Sequence, residues 1–111
     1  MAEQPQVTNV QSYTEASHTA YGDVTGAEPI EAGHRRFTPE RVTVVYNWRT
    51  QLGDRGWRTG NVEISGPWLR TARAPAVGTG QVILWLRTAP QWAQDFARSN
   101  TPTTVLEDEA R

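Results

Sequence analysis

Five tryptophans and ten of the eleven arginines fall between residues 34 and 100, and several are neighbours: Trp48-Arg49, Trp57-Arg58, Trp68-Leu69-Arg70 and Trp85-Leu86-Arg87. This pairing of types can do two kinds of binding chemistry. Arginine forks track phosphates while aromatic faces stack bases, as in single-strand nucleic-acid binders. The same two residue types are also favoured anchors of protein interfaces. Packing competes for them, because arginine beside tryptophan is ordinary cation–π and aliphatic cover. Trp57 and Trp68 adjoin loops. With Arg49, Arg55, Arg58, Arg70 and Arg73 they form the candidate binding surface. Trp85 and Trp92 are expected in the core, facing each other across a sheet–helix interface, and Trp48 beside Val42, Val44 and Tyr46.

Other reactive types are sparse. His18 and His34 stand apart, with no second ligand at metal-binding spacing, and read as solvated surface side chains. Ser65 lacks the flanking glycines of a nucleophile elbow. Glu63 and Asp54 fit a solvent face and a loop better than a hydrolytic carboxylate pair. Gly78-Thr79-Gly80 precedes a strand, whereas phosphate-cradling loops precede a helix. No catalytic, cofactor-binding or metal-binding residue is assigned, and the chain is not expected to be an enzyme.

The elements that would position the tryptophans are clearest in the middle of the chain. Arg41–Trp48 alternates, with Val42, Val44, Tyr46 and Trp48 on one face, and predicts a strand. A glycine-bearing hairpin loop follows over 51–56, then a second strand from Trp57 to Ser65 with a bulge at Gly60. Gly66-Pro67 breaks it, and residues 70–80 read as a long connection. Residues 81–86 are apolar on both faces, which predicts a strand covered on both sides. Pro90–Arg98 carries an apolar stripe of Trp92, Ala93, Phe96 and Ala97 and predicts a helix. About nine residues cannot hold a helix alone, so it must pack on the sheet.

The 111 residues suffice for one core. Residues 1–33 hold five acids and no base, residues 34–100 carry +6, and residues 101–111 carry −2. The expected organisation is an acidic, mostly flexible arm over 1–36, with Val7 to about Tyr13 as a candidate strand, an α+β domain over 37–100 and an acidic tail over 101–111. The domain is expected to be a three- to four-stranded antiparallel meander with one C-terminal helix on one face. Cysteine is absent, so there is no disulfide framework. No run approaches a membrane span, and the start lacks the pattern of a secretory signal, so a cytoplasmic site without membrane contact is expected. All eleven basic residues are arginine, which suggests a GC-rich genome.

Gly56-Trp57, the run Val62-Glu63-Ile64-Ser65-Gly66-Pro67, a glycine-bearing loop, an apolar strand and Pro90-x-Trp92 together resemble short uncharacterised proteins of high-GC actinobacteria, their phages and mobile elements. The resemblance covers residues 38–100. It implies a β-hairpin, a third strand and a helix, and a phage or mobile-element origin. It implies no activity.

These readings converge on a non-catalytic binding or assembly protein that contacts a host protein or itself. The alternative is a nucleic-acid binder using the arginine- and tryptophan-rich face; a small hydrolase-like enzyme is the second alternative. A phage-encoded chain would act in the host cytoplasm or be carried in the virion. Steep weakening with salt would mark phosphate binding, and clustering of the arginines on one surface would favour it.

Overall fold

The computed structural model describes residues 5–14, 17–51, 54–73, 77–102 and 105, with the backbone alone at 13, 14, 48–51 and 54–59. Its centre is the hairpin expected from alternation. Strand β5, Arg41–Gln51, buries Val42, Val44 and Tyr46 on one face. Strand β6, Asp54–Pro67, runs antiparallel to it and buries Val62 and Ile64 on the same side. Both strands are longer than their alternation suggests. Only residues 52–53 separate them, and these lie outside the described residues. Between Val44↔Val62 and Tyr46↔Thr59 the register gains one residue on β6, so the bulge falls at Gly60–Asn61. A Cβ on Gly60 would collide with the carbonyl oxygen of Val45, which explains the glycine.

Four strands precede this hairpin, where the sequence predicts a mostly flexible arm over 1–36 with one candidate strand, Val7 to about Tyr13. Strands β1, Gln6–Thr14, and β2, Ser17–Thr25, form a hairpin, and β2 pairs with β5 from Ser17↔Asn47 to Asp23↔Arg41. Strands β3, Ile30–Ala32, and β4, Arg35–Phe37, make a separate two-stranded ribbon turning at Gly33, whose φ is +70°. Strand β7, Thr79–Trp85, adds to β6. The main sheet therefore has five antiparallel strands in the order β1-β2-β5-β6-β7, beside the β3–β4 ribbon. The fold is α+β with one C-terminal helix, as expected. Its strand count corrects the expected three or four.

After β7 a 3-10 turn over Leu86–Thr88 leads to helix α1, Gln91–Ser99, with Pro90 at its N-cap. Ala93, Phe96 and Ala97 of α1 join Val42, Val44, Tyr46, Val62 and Ile64 in one core, so the helix closes the inner face of the sheet. Phe37 of β4 enters the same core. Thr101 and Val105 are buried as well. Residues 103–104 and 106–111 of the expected acidic tail lie outside the described residues.

Backbone hydrogen bonds bind the link between β4 and β5 to the end of β6. Leu69 N–H donates to Arg36 O, Thr38 N–H to Pro67 O and Glu40 N–H to Ser65 O. A Cβ on Gly66 would strike the Thr38 carbonyl. The Gly-Pro pair thus ends a strand beneath a crossing backbone segment. At the far end β5 and β6 outrun their neighbours. Among the described residues, 48–51 and 54–57 pair with each other and with no third strand, and Trp48 stands opposite Trp57. The molecule is 54 Å in its longest dimension.

Candidate functional site

The site begins with the pleat of β7. Val82 stands opposite Ile64 and Leu84 opposite Val62, so both face the core. Side chains alternate along a strand, and Gln81, Ile83 and Trp85 must take the other face. They stand opposite Ser65, Glu63 and Asn61. Ile83 is 58% exposed and Trp85 60% exposed. Asn61, Glu63 and Gln81 around them are exposed too, as is Arg41 two strands away.

This corrects two expectations. Trp85 does not face Trp92: it lies on the open face, while Trp92 is half-buried and packs against the core on the helix side. Nor is β7 covered on both sides. It is the edge strand, and only its inner face meets the core. A sequence apolar on both faces predicts cover on both faces, and here one cover is missing among the described residues.

Elsewhere on the outer face, beside the half-buried Val45, polar groups are tied together. The Tyr21 hydroxyl donates to Gln11 Oε1 at 2.9 Å, and the Arg41 guanidinium lies 5.2 Å from the centroid of the Tyr21 ring. Asn9 Nδ2 donates to Asp23 Oδ2 at 2.8 Å. On the open face of the sheet the exposed apolar side chains are thus Ile83 and Trp85 of β7, while Val77, 72% exposed, lies just before that strand. The two edges of the sheet also differ. Strand β1 carries an irregularity between Thr8 and Gln11, with Asn9 at φ +53°. Strand β7 keeps unbroken register from Thr79 to Trp85 and has no charged residue.

The sequence-derived candidates separate. Arg49, Arg55, Trp57 and Arg58 lie on the projecting hairpin or at its base, but their side chains are outside the described residues. Their backbone register sets Asn47 opposite Arg58, Arg49 opposite Gly56 and Thr50 opposite Arg55. Trp68 is half-buried. It meets Phe37 edge-on, with ring centroids 6.1 Å apart, and Arg35 lies over it at 4.6 Å. Arg70 and Arg73 are exposed at the opposite end of β6 from the hairpin tip. Arg73 joins His34, Arg35, Thr71 and Ala72 around an open groove of about 630 Å³. Its charged and titratable lining side chains are all basic.

His18 is not a surface histidine. It is 2% exposed, its ring centroid is 6.4 Å from that of Tyr46, and Nε2 donates to the Asn100 carbonyl at 3.0 Å. It ties β2 to the end of α1. The period-two series His18, Ala20, Val24 was the available signal. His34 is exposed. Asp95 accepts from Gln91 Nε2 at 2.9 Å and lies 3.6 Å from Arg98. It borders a groove of about 410 Å³ between β1 and α1, walled by Val7, Val10, Trp92 and Phe96. Among the described residues no three His, Cys, Asp or Glu side chains converge as metal ligands, and no helix is long and apolar enough to cross a membrane.

No protein-family profile, curated protein or solved structure matches the chain.

Proposed function

We propose that this chain is a non-catalytic binding or assembly protein of a phage or mobile element, acting through protein–protein contact with a host factor or with itself. One observation carries the reading: Ile83 and Trp85 stand side by side in period on an open sheet face, 58% and 60% exposed. Single exposed apolar residues are common on soluble proteins. A large aliphatic and a tryptophan together on an uncharged edge strand form the nucleus of an interface. The proposed origin rests on the resemblance through Gly56-Trp57, Gly66-Pro67 and Pro90-x-Trp92.

The test is photo-crosslinking in the cells that make the protein, with p-benzoylphenylalanine replacing Ile83 and, as a control, exposed Glu28. The reading expects a protein adduct at position 83 and none at position 28. Equal yields at both positions, or no adduct at either, would overturn it.

A second reading, nucleic-acid binding, is favoured by the groove where His34, Arg35 and Arg73 converge. Arginine pairs with phosphate oxygens, and an all-basic cleft raises the local anion concentration. It differs from protein contact in its response to salt.

A further inference from the structure

We infer that the free edge of β7 pairs antiparallel with β7 of a second copy of this chain, giving a two-fold dimer whose two five-stranded sheets run into one. This deepens the protein-contact reading and rests on it, since it names the partner.

The argument starts from hydrogen bonds. Strand β7 pairs with β6 on one side only, from Asn61↔Trp85 to Pro67↔Thr79. Among the described residues no strand pairs with its other side. Every second N–H and C=O of β7 therefore points away from the sheet. Edge strands in monomeric proteins are normally blunted by charge, proline, a bulge or short length. Strand β1, the opposite edge, has such a device in the irregularity at Thr8–Gln11 and the left-handed Asn9. Strand β7 has none of them, and the β3–β4 ribbon lies against it at Gly80, where Phe37 packs. Its seven residues, Thr-Gly-Gln-Val-Ile-Leu-Trp, hold no charge and no proline and are in unbroken register.

The side chains select the occupant. Val82 and Leu84 pack against the core but remain half-buried, because they sit at its open flank. A second strand beside β7 would cover that flank on the inner face. On the outer face the same strand would cover Ile83 and Trp85. The occupant must therefore be apolar on both faces and neutral. Among the described strands of this chain, β7 itself meets that requirement, having an apolar residue on each face and no charge. Antiparallel pairing of a strand with its own copy is the isologous two-fold arrangement by which most homodimers close. A two-fold axis normal to the sheet keeps inner against inner and outer against outer. Ile83 and Trp85 of the two copies then meet on one continuous face.

The experiment uses the full chain at rising concentration. Sedimentation equilibrium should show a monomer of 12.4 kDa converting to twice that mass. Amide exchange followed by NMR should show alternate β7 amides, fast in the monomer, slowing in the dimer. Ile83→Lys puts a charge on the edge at an exposed position and should weaken dimerisation at least about tenfold. A monomer up to about 1 mM, a weak association by ordinary standards, would overturn the inference. So would a dimer whose β7 amides exchange as fast as in the monomer, since another surface would then be holding it. Should Ile83→Lys fail to fold, the exchange measurement on the unaltered chain decides alone. A monomeric chain that still crosslinks to a different protein at position 83 overturns this inference and leaves the protein-contact reading standing. No adduct at position 83 overturns that reading.

Discussion

The guanidinium of Arg35 lies 4.6 Å from the centroid of the Trp68 ring, so the cation and the indole belong to one packed unit. Phe37 meets the same ring edge-on, and a Cβ on Gly80 would run into both aromatic rings. Trp68 thus fastens the β3–β4 ribbon to the ends of β6 and β7. A cation over an indole contributes about 0.5–1 kcal/mol where water still reaches it. The half-buried ring contributes more through its area.

Trp68→Ala should lower stability by about 2–3 kcal/mol, less than truncation of a fully buried tryptophan. Arg35→Ala should lower it by about 1 kcal/mol or less. Urea unfolding of both variants measures the two. Equal losses would mean that the ring does not anchor the ribbon.

His18 makes a sharper case, because a buried polar group is removed together with its volume. His18→Ala takes away the donor to the Asn100 carbonyl and leaves a hole beside Tyr46. The expected cost is about 2–4 kcal/mol. Amide exchange should also quicken in the last turn of α1, which the histidine ties to β2. A loss confined to global stability, with that turn unchanged, would contradict the tie.

Glycines 33 and 66 separate strain from collision. Gly33 turns the β3–β4 ribbon at φ +70° with nothing within 4 Å of a Cβ. Gly33→Ala should therefore cost only about 1–2 kcal/mol, the penalty of a left-handed alanine. Gly66 faces the Thr38 carbonyl, a backbone atom that cannot rotate away. Gly66→Ala should cost more than about 3 kcal/mol or prevent folding, since it must part the hydrogen-bonded segments 38–40 and 65–67. Thermal unfolding of the pair tests the order.

The difference between β5 and β2 explains how much of the fold the sequence could reveal. Strand β5 alternates the large inward Val42, Val44 and Tyr46 with Thr43, Val45 and Asn47, and a period of two is visible at once. Strand β2 has the same alternation, but its inward positions are His18, Ala20, Gly22 and Val24, mostly small or polar. Gly22 must be small because a Cβ there would meet Val7 and the Thr8 carbonyl. Close packing of two strands therefore erases the hydrophobic signal that would announce them. In β7 the ambiguity runs the other way. Val82 and Leu84 alternate with Ile83 and Trp85, and apolar residues on both faces cannot say which face is covered. Of the candidate surface, Trp68 is a packing residue, while Ile83 has no feature in the sequence to set it apart from Val82 and Leu84.

The two tryptophans that sequence reasoning misplaces, Trp68 and Trp85, also separate binding from stability. Trp85 is 60% exposed on the open face of the sheet. Trp85→Ser should leave urea-unfolding stability within about 0.5 kcal/mol, as surface changes generally do. It should reduce crosslinking from position 83 and weaken self-association, because an exposed indole is worth most where a partner excludes water from it. Phosphate binding would respond to different residues. Removing Arg70 and Arg73 should flatten the salt dependence of any DNA or RNA affinity. On a single strand the slope should fall by about 0.7 for each phosphate that the variant no longer neutralises. Titration of labelled single strands at two salt concentrations, with Trp85→Ser and the double arginine variant side by side, sets the two chemistries apart. Loss of nucleic-acid affinity in the arginine variant, with self-association untouched, would assign the basic groove to phosphate. Loss of self-association in Trp85→Ser alone would assign the sheet face to protein.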